Sequence, residues 1–406
     1  MGIQDATNPP GVDQTLQGQD APNLDELLES KRALEVRNDH LFNLYKTAHQ
    51  FVDHVSHEFR TPLTVIKEFT AVIRDELAGP ITDEQRRYLE IVIGRVDDLI
   101  VMVNDMLDIS RIENGGLVVT RGVYRISDII DRVRTTLERR AESSEVELQF
   151  NLPEDLPRVY CDGEKIGRVL VNLVVNALKF SQTGEVVRVW ARHEEATSEV
   201  LVGVEAHGQG IAPENVQMIF DRFSQVHGIR TSQKGFGLGL NIVKELVQMN
   251  FGEVSVESEL QKGSTFSFTI PTTEPRRLMD RYLRGVKDVR DGLDFVSVLE
   301  ISVDPGVRAQ SNRLEDLQDF LHVQMRRSDL LFGHRPGRWL MVVATHVPQV
   351  HPIVDRYAQA RSETNKVRIG SPLPEFEMST LGSWDLTSQR VEFIDAFSVE
   401  WDSRKS

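Results

Sequence analysis

Apolar residues recur at seven-residue spacing along the N-terminal part of the chain. One row of this repeat contains Leu27, Leu34, Leu41, Ala48 and Val55. A heptad repeat keeps apolar side chains on one face of a helix, which predicts a long helix that packs against another. Pro80 and Thr82 predict a break and a helix start, and the second amphipathic helix runs to about Ile112. Two such helices form an antiparallel hairpin, and two hairpins bury their apolar stripes as a dimeric four-helix bundle.

After Val118 the pattern changes to short segments rich in Val, Ile and Phe that alternate with helical stretches. Examples are residues 146–151 and 185–191, and the pattern predicts an α/β sandwich that ends near Pro271. A third segment starts near Pro275. Its predicted elements are strands at 295–303 and 339–345 and a helix at 314–327.

The predicted fold class is therefore multidomain, α and α/β. Residues 1–23 contain prolines and glycines among polar residues and are predicted to be a flexible lead-in. Residues 24–118 form the dimerising helical hairpin, residues 119–274 the α/β sandwich, and residues 275–406 a C-terminal α/β domain.

Composition narrows the classes of function. No stretch approaches the roughly 20 apolar residues that cross a bilayer, and the first residues lack an apolar signal region, so we expect a cytoplasmic protein. Cys161 is the only cysteine, which excludes an internal disulfide. A formal net charge of -15 argues against a nucleic-acid partner.

The segment HVSHEFRTPLTVI carries the chemistry of the first domain. His57 lies two positions beyond Val55 and points away from the heptad row. Glu58 can orient the imidazole and take its proton, which leaves the other ring nitrogen as a nucleophile. Thr61 follows one turn later on the same face. Pro62 costs about 3 kcal/mol inside a helix, so a functional site is favoured over a merely solvated histidine.

SHEFRTPL resembles the H-box of HisKA-type sensor histidine kinases, and VNDMLDISRIENG resembles their second dimerisation helix. The resemblance implies that His57 receives the γ-phosphoryl group of ATP and that Glu58 assists as the base. It implies that Thr61 positions water in the reverse, phosphatase reaction. It also implies a homodimer and a response-regulator receiver domain whose aspartate accepts the phosphoryl group.

Asn172, Asn176 and Lys179 are spaced to share one face of a helix. Amide oxygens suit Mg²⁺ and a lysine suits phosphate, although asparagines on a helix are commonly solvent-facing. The segment resembles the N-box of the kinase ATP-binding domain, which implies ATP and Mg²⁺ as cofactors, with Asn176 as a metal ligand.

Two glycine-containing segments follow, AHGQGI and KGFGLGLNIVKEL. They resemble the G1 and G2 boxes of the GHKL ATPase fold, with IFDRFSQ between them like the F-box and KGSTFSFTIP like the closing strand. The resemblances cover about residues 40–271. The nucleotide-binding residues that they imply are Ala206, Gly208, Gly210, Phe223, Gly235, Gly237, Leu238, Gly239 and Thr265.

The polar stretch between Phe223 and Gly235 corresponds to an ATP lid. Arg230 and Lys234 are candidates to reach the phosphates and stabilise the transition state. The alternative is an ordinary polar loop that carries basic residues.

The G1 box departs from the family pattern D-x-G-x-G, because Ala206 stands at the position of the adenine-binding aspartate. Glu205 is not a substitute, since neighbouring residues on a strand point to opposite faces. Loss of a charge-assisted hydrogen bond costs about 1.5–3 kcal/mol, or roughly ten- to a hundredfold in affinity. The explanations are a pseudokinase, a deliberate substitution, or an enzyme that reads adenine through water and backbone. The retained motifs favour a working kinase weakened at one point.

The third segment resembles a diguanylate cyclase (GGDEF) domain, with Arg326 and Asp329 fitting the helix before the motif. The signature itself falls on residues 335–339, RPGRW, which lack the acidic metal ligand and the catalytic acid. Cyclase activity is therefore not expected. An unrelated α/β domain is the alternative.

The resemblances predict autophosphorylation of His57 from ATP, followed by transfer to a receiver aspartate. The alternative is a non-catalytic pseudokinase scaffold that binds a response regulator. A GHKL ATPase clamp is disfavoured, because such a protein has no need of SHEFRTPL on a heptad helix.

Overall fold

A computed structural model describes residues 37, 58–113, 117–222, 224, 237–289, 294–308, 310–326 and 328–403. The chain divides into two compact units, residues 1–58 and residues 59–406. Predictions that concern the lead-in, the heptad row and the lid lie outside the described residues. The same is true of five predicted site residues, which are His57, Phe223, Arg230, Lys234 and Gly235.

A helical hairpin opens the described part of the chain, as the apolar pattern predicted. Helix α1 is described over residues 58–74, and α2 spans Asp83–Glu113. Thr82 and Gln85 form a reciprocal cap at the start of α2: the Thr82 amide donates to Gln85 Oε1 at 2.8 Å, and the Gln85 amide donates to Thr82 Oγ1 at 3.2 Å. This capping box satisfies amides that the first turn leaves unpaired, so α2 begins where the sequence placed it.

The α/β sandwich that follows has three helices on one face of a mixed sheet. Its helices are α3 (Ile126–Ser143), α4 (Gly163–Phe180) and α5 (Gly239–Met249). Its strands are β1 (Gly122–Tyr124), β2 (Glu147–Asn151), β3 (Val159–Cys161), β4 (Val186–Glu194), β5 (Glu199–Ala206), β6 (Val254–Glu259) and β7 (Gly263–Pro271). Short 3₁₀ helices span Pro213–Asn215 and Met218–Phe220.

The strand order of the sandwich sheet is β2-β4-β5-β7-β6, and β1 pairs separately with β3. All neighbours in the five-stranded sheet are antiparallel except β2 and β4. The inward face of β5 carries Val200, Val202 and Val204, which are buried against the three helices. Period-two alternation of this kind is what half-buried strands require, and it confirms the predicted α/β sandwich.

The third segment contains a four-stranded antiparallel sheet in the order β11-β8-β10-β9. Its strands are β8 (Phe295–Val303), β9 (Leu330–Arg335), β10 (Arg338–Thr345) and β11 (Phe376–Asp385). Its helices are α6 (Pro275–Val289), α7 (Ser311–Gln324), α8 (His351–Val367) and α9 (Arg390–Ser403). The run from β8 to β11 is a β-α-β-β-α-β unit of the ferredoxin-like kind.

Helices cover both faces of this second sheet. Residues of α7 and α8, such as Leu317 and Tyr357, form one buried cluster with one face. Residues of α6 and α9, such as Tyr282 and Phe397, form another cluster with the opposite face. The C-terminal domain is therefore a three-layer structure, and α6 and α9 make its middle sheet fully internal.

Strand β3 joins the two cores. Val159 and Cys161 are buried in the core of the sandwich, whereas Tyr160 between them is buried in the α6–α9 cluster. The Tyr160 ring stacks on Phe332 with 4.6 Å between centroids, and its hydroxyl donates to the Leu331 carbonyl at 3.1 Å. The strand thus contributes alternate side chains to two different domains.

Charged and aromatic contacts fasten α6 to the sandwich beside this strand. Arg281 donates to Glu253 Oε1 at 2.6 Å. Its Nη2 atom also forms an ion pair with Glu199 Oε1 at 2.5 Å, and the Glu199 side chain is 3% exposed. The Tyr282 ring packs edge-on against Phe251 with 6.2 Å between centroids. Separation of a buried carboxylate from its partner has a high free-energy cost. The ion pair therefore stabilises the contact between the C-terminal domain and the sandwich.

We expect Tyr160→Ala to lower the free energy of unfolding by about 3–5 kcal/mol, because it removes an aromatic ring from a filled core. Tyr160→Phe retains the ring and loses one hydrogen bond, so its cost is about 1 kcal/mol. Urea titration of the full chain measures both values. Val399→Ala, at a side chain that is 68% exposed, is the control. A loss for Tyr160→Ala no larger than for this control would contradict the shared role of β3.

Candidate functional site

Helix α4 has one apolar face and one polar face. The packing of the apolar face in the core determines the direction in which the polar face points. Asp162 caps the helix by accepting hydrogen bonds from the amides of Glu164 and Lys165, both at 3.0 Å. The apolar side of α4 enters the core of the sandwich through residues that include Leu173, Val174 and Leu178. The three predicted site residues of this helix are half-buried at its surface, and they are Asn172, Asn176 and Lys179.

Two of these side chains have polar groups that are wholly or partly removed from solvent. The Asn172 Nδ2 atom is buried and has no hydrogen-bond partner among the described residues. Burial lowers the pKa of Lys179, and the nearby Asp98 carboxylate on α2 acts in the opposite direction. Buried polar groups normally have partners, so an unpartnered amide donor and a partly desolvated ammonium are suited to an anionic ligand.

The loop after β5 approaches the end of α4 so closely that it needs glycine. A side chain on Gly208 would meet the Phe180 carbonyl at 2.8 Å. Gly210 has a φ of +66°, and a side chain there would meet the Glu259 carbonyl at 2.1 Å. Only glycine tolerates both the left-handed conformation and the contact. The predicted G1 loop therefore lies beside the end of α4, next to Lys179.

The predicted G2 segment leads into the start of α5. Gly237 has a φ of +72°, Leu238 is buried, and α5 begins at Gly239 without a side-chain cap. Uncapped amides at a helix N-terminus bind anions. Asn241, which sequence reasoning missed, is buried and donates to the Phe220 carbonyl at 3.1 Å. It ties α5 to the segment before Phe223, and no local pattern signals that pairing.

The sheet register places two of the predicted nucleotide-binding residues, Ala206 and Thr265, on opposite faces of the sheet. Ala206 pairs with Ser264, whereas Glu205 pairs with Thr265. Directly opposite residues of antiparallel strands share a face, so Ser264 lies on the face of Ala206 and Thr265 lies on the other. The structure therefore places Thr265 on the opposite face of the sheet from Ala206.

Glu205 does not replace the missing carboxylate. It shares its face with Arg188, and the Arg188 Nη1 atom lies 3.4 Å from Glu205 Oε1. Ala206 is 9% exposed on the opposite face and belongs to the core of the sandwich. The expectation that Glu205 cannot serve in place of an aspartate at position 206 agrees with this register.

The H-box lies at the limit of the described residues. Glu58 and Thr61 are exposed helical residues of α1, and their catalytic roles remain predictions. Arg60 Nη2 donates to Asn104 Oδ1 at 3.0 Å, which joins α1 to α2. This hydrogen bond is a polar contact across the hairpin, close to the H-box.

The described residues contain no cluster of three or more His, Cys, Asp or Glu side chains that could hold a metal ion. A Mg²⁺ site at Asn176 would therefore rest on an amide oxygen and on the phosphates of the nucleotide, which is a common arrangement for Mg²⁺. None of the helices in the described part of the chain has the length and apolarity needed to span a membrane.

Two parts of the chain match known protein families. Residues 47–115 match the His Kinase A (phospho-acceptor) domain. Residues 161–274 match the histidine kinase-, DNA gyrase B- and HSP90-like ATPase family. Residues 47–115 are therefore similar to the phospho-acceptor domain of histidine kinases, and residues 161–274 are similar to the ATPase domain that histidine kinases share with DNA gyrase B and HSP90.

Sensor proteins are among the relatives of the chain. Sensor protein SrrB of Staphylococcus aureus strain MRSA252 is 33% identical over 241 residues, which are 59% of this chain and 40% of SrrB. SrrB of strain NCTC 8325 has the same identity and coverage. The chain thus spans about two fifths of the length of these relatives.

Two solved structures are also similar. Full-length ShkA in complex with AMPPNP is 29% identical, with a TM-score of 0.46 over 55% of this chain and 46% of ShkA. The Acinetobacter baumannii histidine kinase AdeS is 22% identical, with a TM-score of 0.38 over 53% of this chain and 98% of AdeS.

Proposed function

We propose that this chain is the kinase core of a two-component sensor, in which His57 takes the γ-phosphoryl group of ATP and passes it to a receiver-domain aspartate. The observation that carries the proposal is the joint match of residues 47–115 and 161–274 to the phospho-acceptor and ATPase families. The polar face of α4, the glycine loops and the uncapped start of α5 supply a phosphate site consistent with it. Because ATP is a cytoplasmic substrate, the proposal includes a cytoplasmic location for these domains.

Different residues have different roles in the proposed phosphoryl transfer. Lys179 and the amides at the start of α5 hold the phosphates, and Asn172 Nδ2 offers a donor that the protein leaves unused. Glu58 holds the proton of one imidazole nitrogen of His57, and the other nitrogen attacks the γ-phosphorus while the bond to ADP breaks. Mg²⁺ bound at Asn176 would screen phosphate charge.

Ala206 weakens recognition of the base without removing the phosphate site. A methyl group accepts no hydrogen bond, so we propose that adenine is held by packing and by the Ser264 hydroxyl, which shares the face of Ala206. The second candidate function is a pseudokinase scaffold that binds a receiver domain. Ala206 is the observation that favours it.

If His57 is the acceptor, γ-labelled ATP should give a label that is labile in acid and stable in alkali, as a phosphoramidate is. The label should vanish in His57→Gln and persist in His193→Gln, which removes an exposed histidine of β4. Both variants are best measured in the Ala206→Asp background, where we expect faster turnover. Label that survives His57→Gln would refute the assignment.

We expect the chain to bind Mg-ATP weakly and to distinguish it poorly from Mg-GTP. Ala206→Asp should improve ATP affinity by roughly ten- to a hundredfold, with little change for GTP, because the new carboxylate accepts the adenine amine. Calorimetry with both nucleotides measures this selectivity. Thr197→Asp adds the same carboxylate at an exposed position in the turn between β4 and β5, so it is the matched control and should change neither affinity. Submicromolar, ATP-selective binding by the unaltered chain would show that adenine is read elsewhere.

We also propose that the hairpin dimerises as a four-helix bundle. Its surface exposes apolar side chains on both helices at helical spacing, far more than a solvated hairpin needs. They include Phe59, Ile66, Phe69, Ile73, Tyr88, Ile91, Leu99 and Met106, each more than 40% exposed. A second hairpin of the same chain covers such a surface with matching apolar groups.

Phe69→Glu should convert the dimer to monomer at micromolar concentration, because it places a charge where a partner helix would bury an aromatic ring that is 66% exposed in one chain. Sedimentation equilibrium measures the dissociation constant. Arg87→Glu, an exposed polar position on α2, is the control and should remain dimeric. A dimer that persists in Phe69→Glu would move the interface away from the hairpin.

For the C-terminal domain we propose a degenerate GGDEF-like module without cyclase activity. Its signature position, residues 335–339, falls at the turn between β9 and β10, where Gly337 has a φ of +72°. None of these five residues, RPGRW, is acidic. Its covered sheet and its packing on the ATPase domain support a structural role.

A further inference from the structure

Helix α5 ends in a Schellman motif that has a phenylalanine where glycine is the usual residue. The Phe251 amide donates to the Gln248 carbonyl at 3.0 Å, and the Gly252 amide donates to the Val247 carbonyl at 3.0 Å. Phe251 adopts the left-handed conformation, with a φ of +62°. This conformation is unfavourable for a residue with a bulky side chain. Such a residue keeps it only where the surrounding structure holds it there.

The ring of Phe251 lies between the ATPase domain and the C-terminal domain. On one side, the Arg121 guanidinium lies over the ring at 4.4 Å from its centroid. On the other side, the buried Tyr282 ring of α6 packs edge-on at 6.2 Å between centroids. Helix α6 also passes the ring at Gly285, where an added Cβ would lie 3.7 Å from Phe251 Cδ1. Aromatic and cation–π contacts of this kind are stabilising, so α6 supplies part of what offsets the strain.

The residues next to Phe251 fix the end of α5. The buried Arg121 donates to the Met249 carbonyl, at 3.1 Å from Nε and 2.5 Å from Nη2. A cation at the C-terminal end of a helix also interacts favourably with the helix dipole. Asn250 accepts a hydrogen bond at 2.6 Å from the amide of Asp162, the cap of α4. A change of conformation at Phe251 therefore acts directly on the contacts that hold both helices.

We infer that Phe251 is a positioning residue for the phosphate site, and that α6 of the C-terminal domain holds it in its strained conformation. The inference rests on the proposed function, in which the amides at the start of α5 bind phosphate. A helix is a rigid element, so a displacement of its last turn also moves its first turn. The C-terminal domain is then a regulatory element, because a ligand or partner that displaces α6 lowers the affinity for nucleotide.

The strain is tested by comparing Phe251→Gly with Phe251→Ala in the full chain. Both variants lose the ring, but only glycine adopts the left-handed conformation without strain. Phe251→Gly should therefore unfold at a higher urea concentration than Phe251→Ala. Arg139→Gly and Arg139→Ala, at an exposed position inside α3, are the matched controls and should show the reverse order. An equal or lower midpoint for Phe251→Gly would overturn the strain at this residue.

The hold of α6 on the phosphate site is tested by calorimetry with Mg-ADP, with Ala206→Asp in every variant to strengthen binding. Tyr282→Leu should weaken binding about fivefold, at the lower end of couplings between separate sites. Tyr282→Phe should bind like the parent, because it keeps the ring and loses a hydroxyl without a hydrogen-bond partner among the described residues. Tyr357→Leu, the same change at a buried tyrosine of the α7–α8 cluster, is the matched control and should leave binding unchanged.

A second variant tests the same contact from the ATPase side. Phe251→Leu should weaken Mg-ADP binding about as much as Tyr282→Leu, and the double variant should lose no more than either single variant, since both remove one contact. Full additivity of the two losses would overturn the inference. Equal weakening by Tyr282→Leu and Tyr357→Leu would also overturn it, because the effect would then be a general loss of stability.

Hydrogen exchange of α5, measured without nucleotide, separates this inference from the proposed function. The amides of Gly239–Met249 should exchange faster in Tyr282→Leu than in Tyr357→Leu. Faster exchange in a chain that binds no Mg-ADP in any variant would refute the proposed function and support the hold of α6 on α5. Equal exchange in the two variants would overturn the hold, even in a chain that binds nucleotide.

Discussion

Strand β3 is buried on both sides, and this constraint fixes the positions of the elements that matter most. A strand points successive side chains to opposite faces, so Val159 and Cys161 fill the ATPase core while Tyr160 fills the core of the C-terminal domain. The residue that follows, Asp162, is the cap of α4. The C-terminal sheet and the first turn of α4 are therefore set by four consecutive residues, which leaves little freedom for one to move without the other.

Asp162 also links the start of α4 to the end of α5. Its carboxylate also accepts the Thr120 amide at 2.8 Å, and its own amide donates to Asn250 Oδ1 at 2.6 Å. Asn250 in turn donates to the Leu246 carbonyl at 2.8 Å, at the end of α5. Satisfied buried networks of this kind are rigid, because every member loses a partner if one moves. The start of α4 and the end of α5 are joined in this way, so the two helices that would hold the nucleotide move as one body.

Local signals in the sequence predicted the local features well. The capping pair Thr82 and Gln85 lies within one turn, and the apolar run of β8 has the predicted bounds, 295–303. The face on which a strand residue lies is harder to predict, since a displacement of one residue moves a side chain to the other face of the sheet, and Thr265 pairs with Glu205 rather than with Ala206. The pairing of Arg168 with Asp105 joins positions that are 63 residues apart, and the pairing of Tyr160 with Leu331 joins positions 171 apart. No periodicity encodes contacts at that distance, because they depend on how finished domains pack.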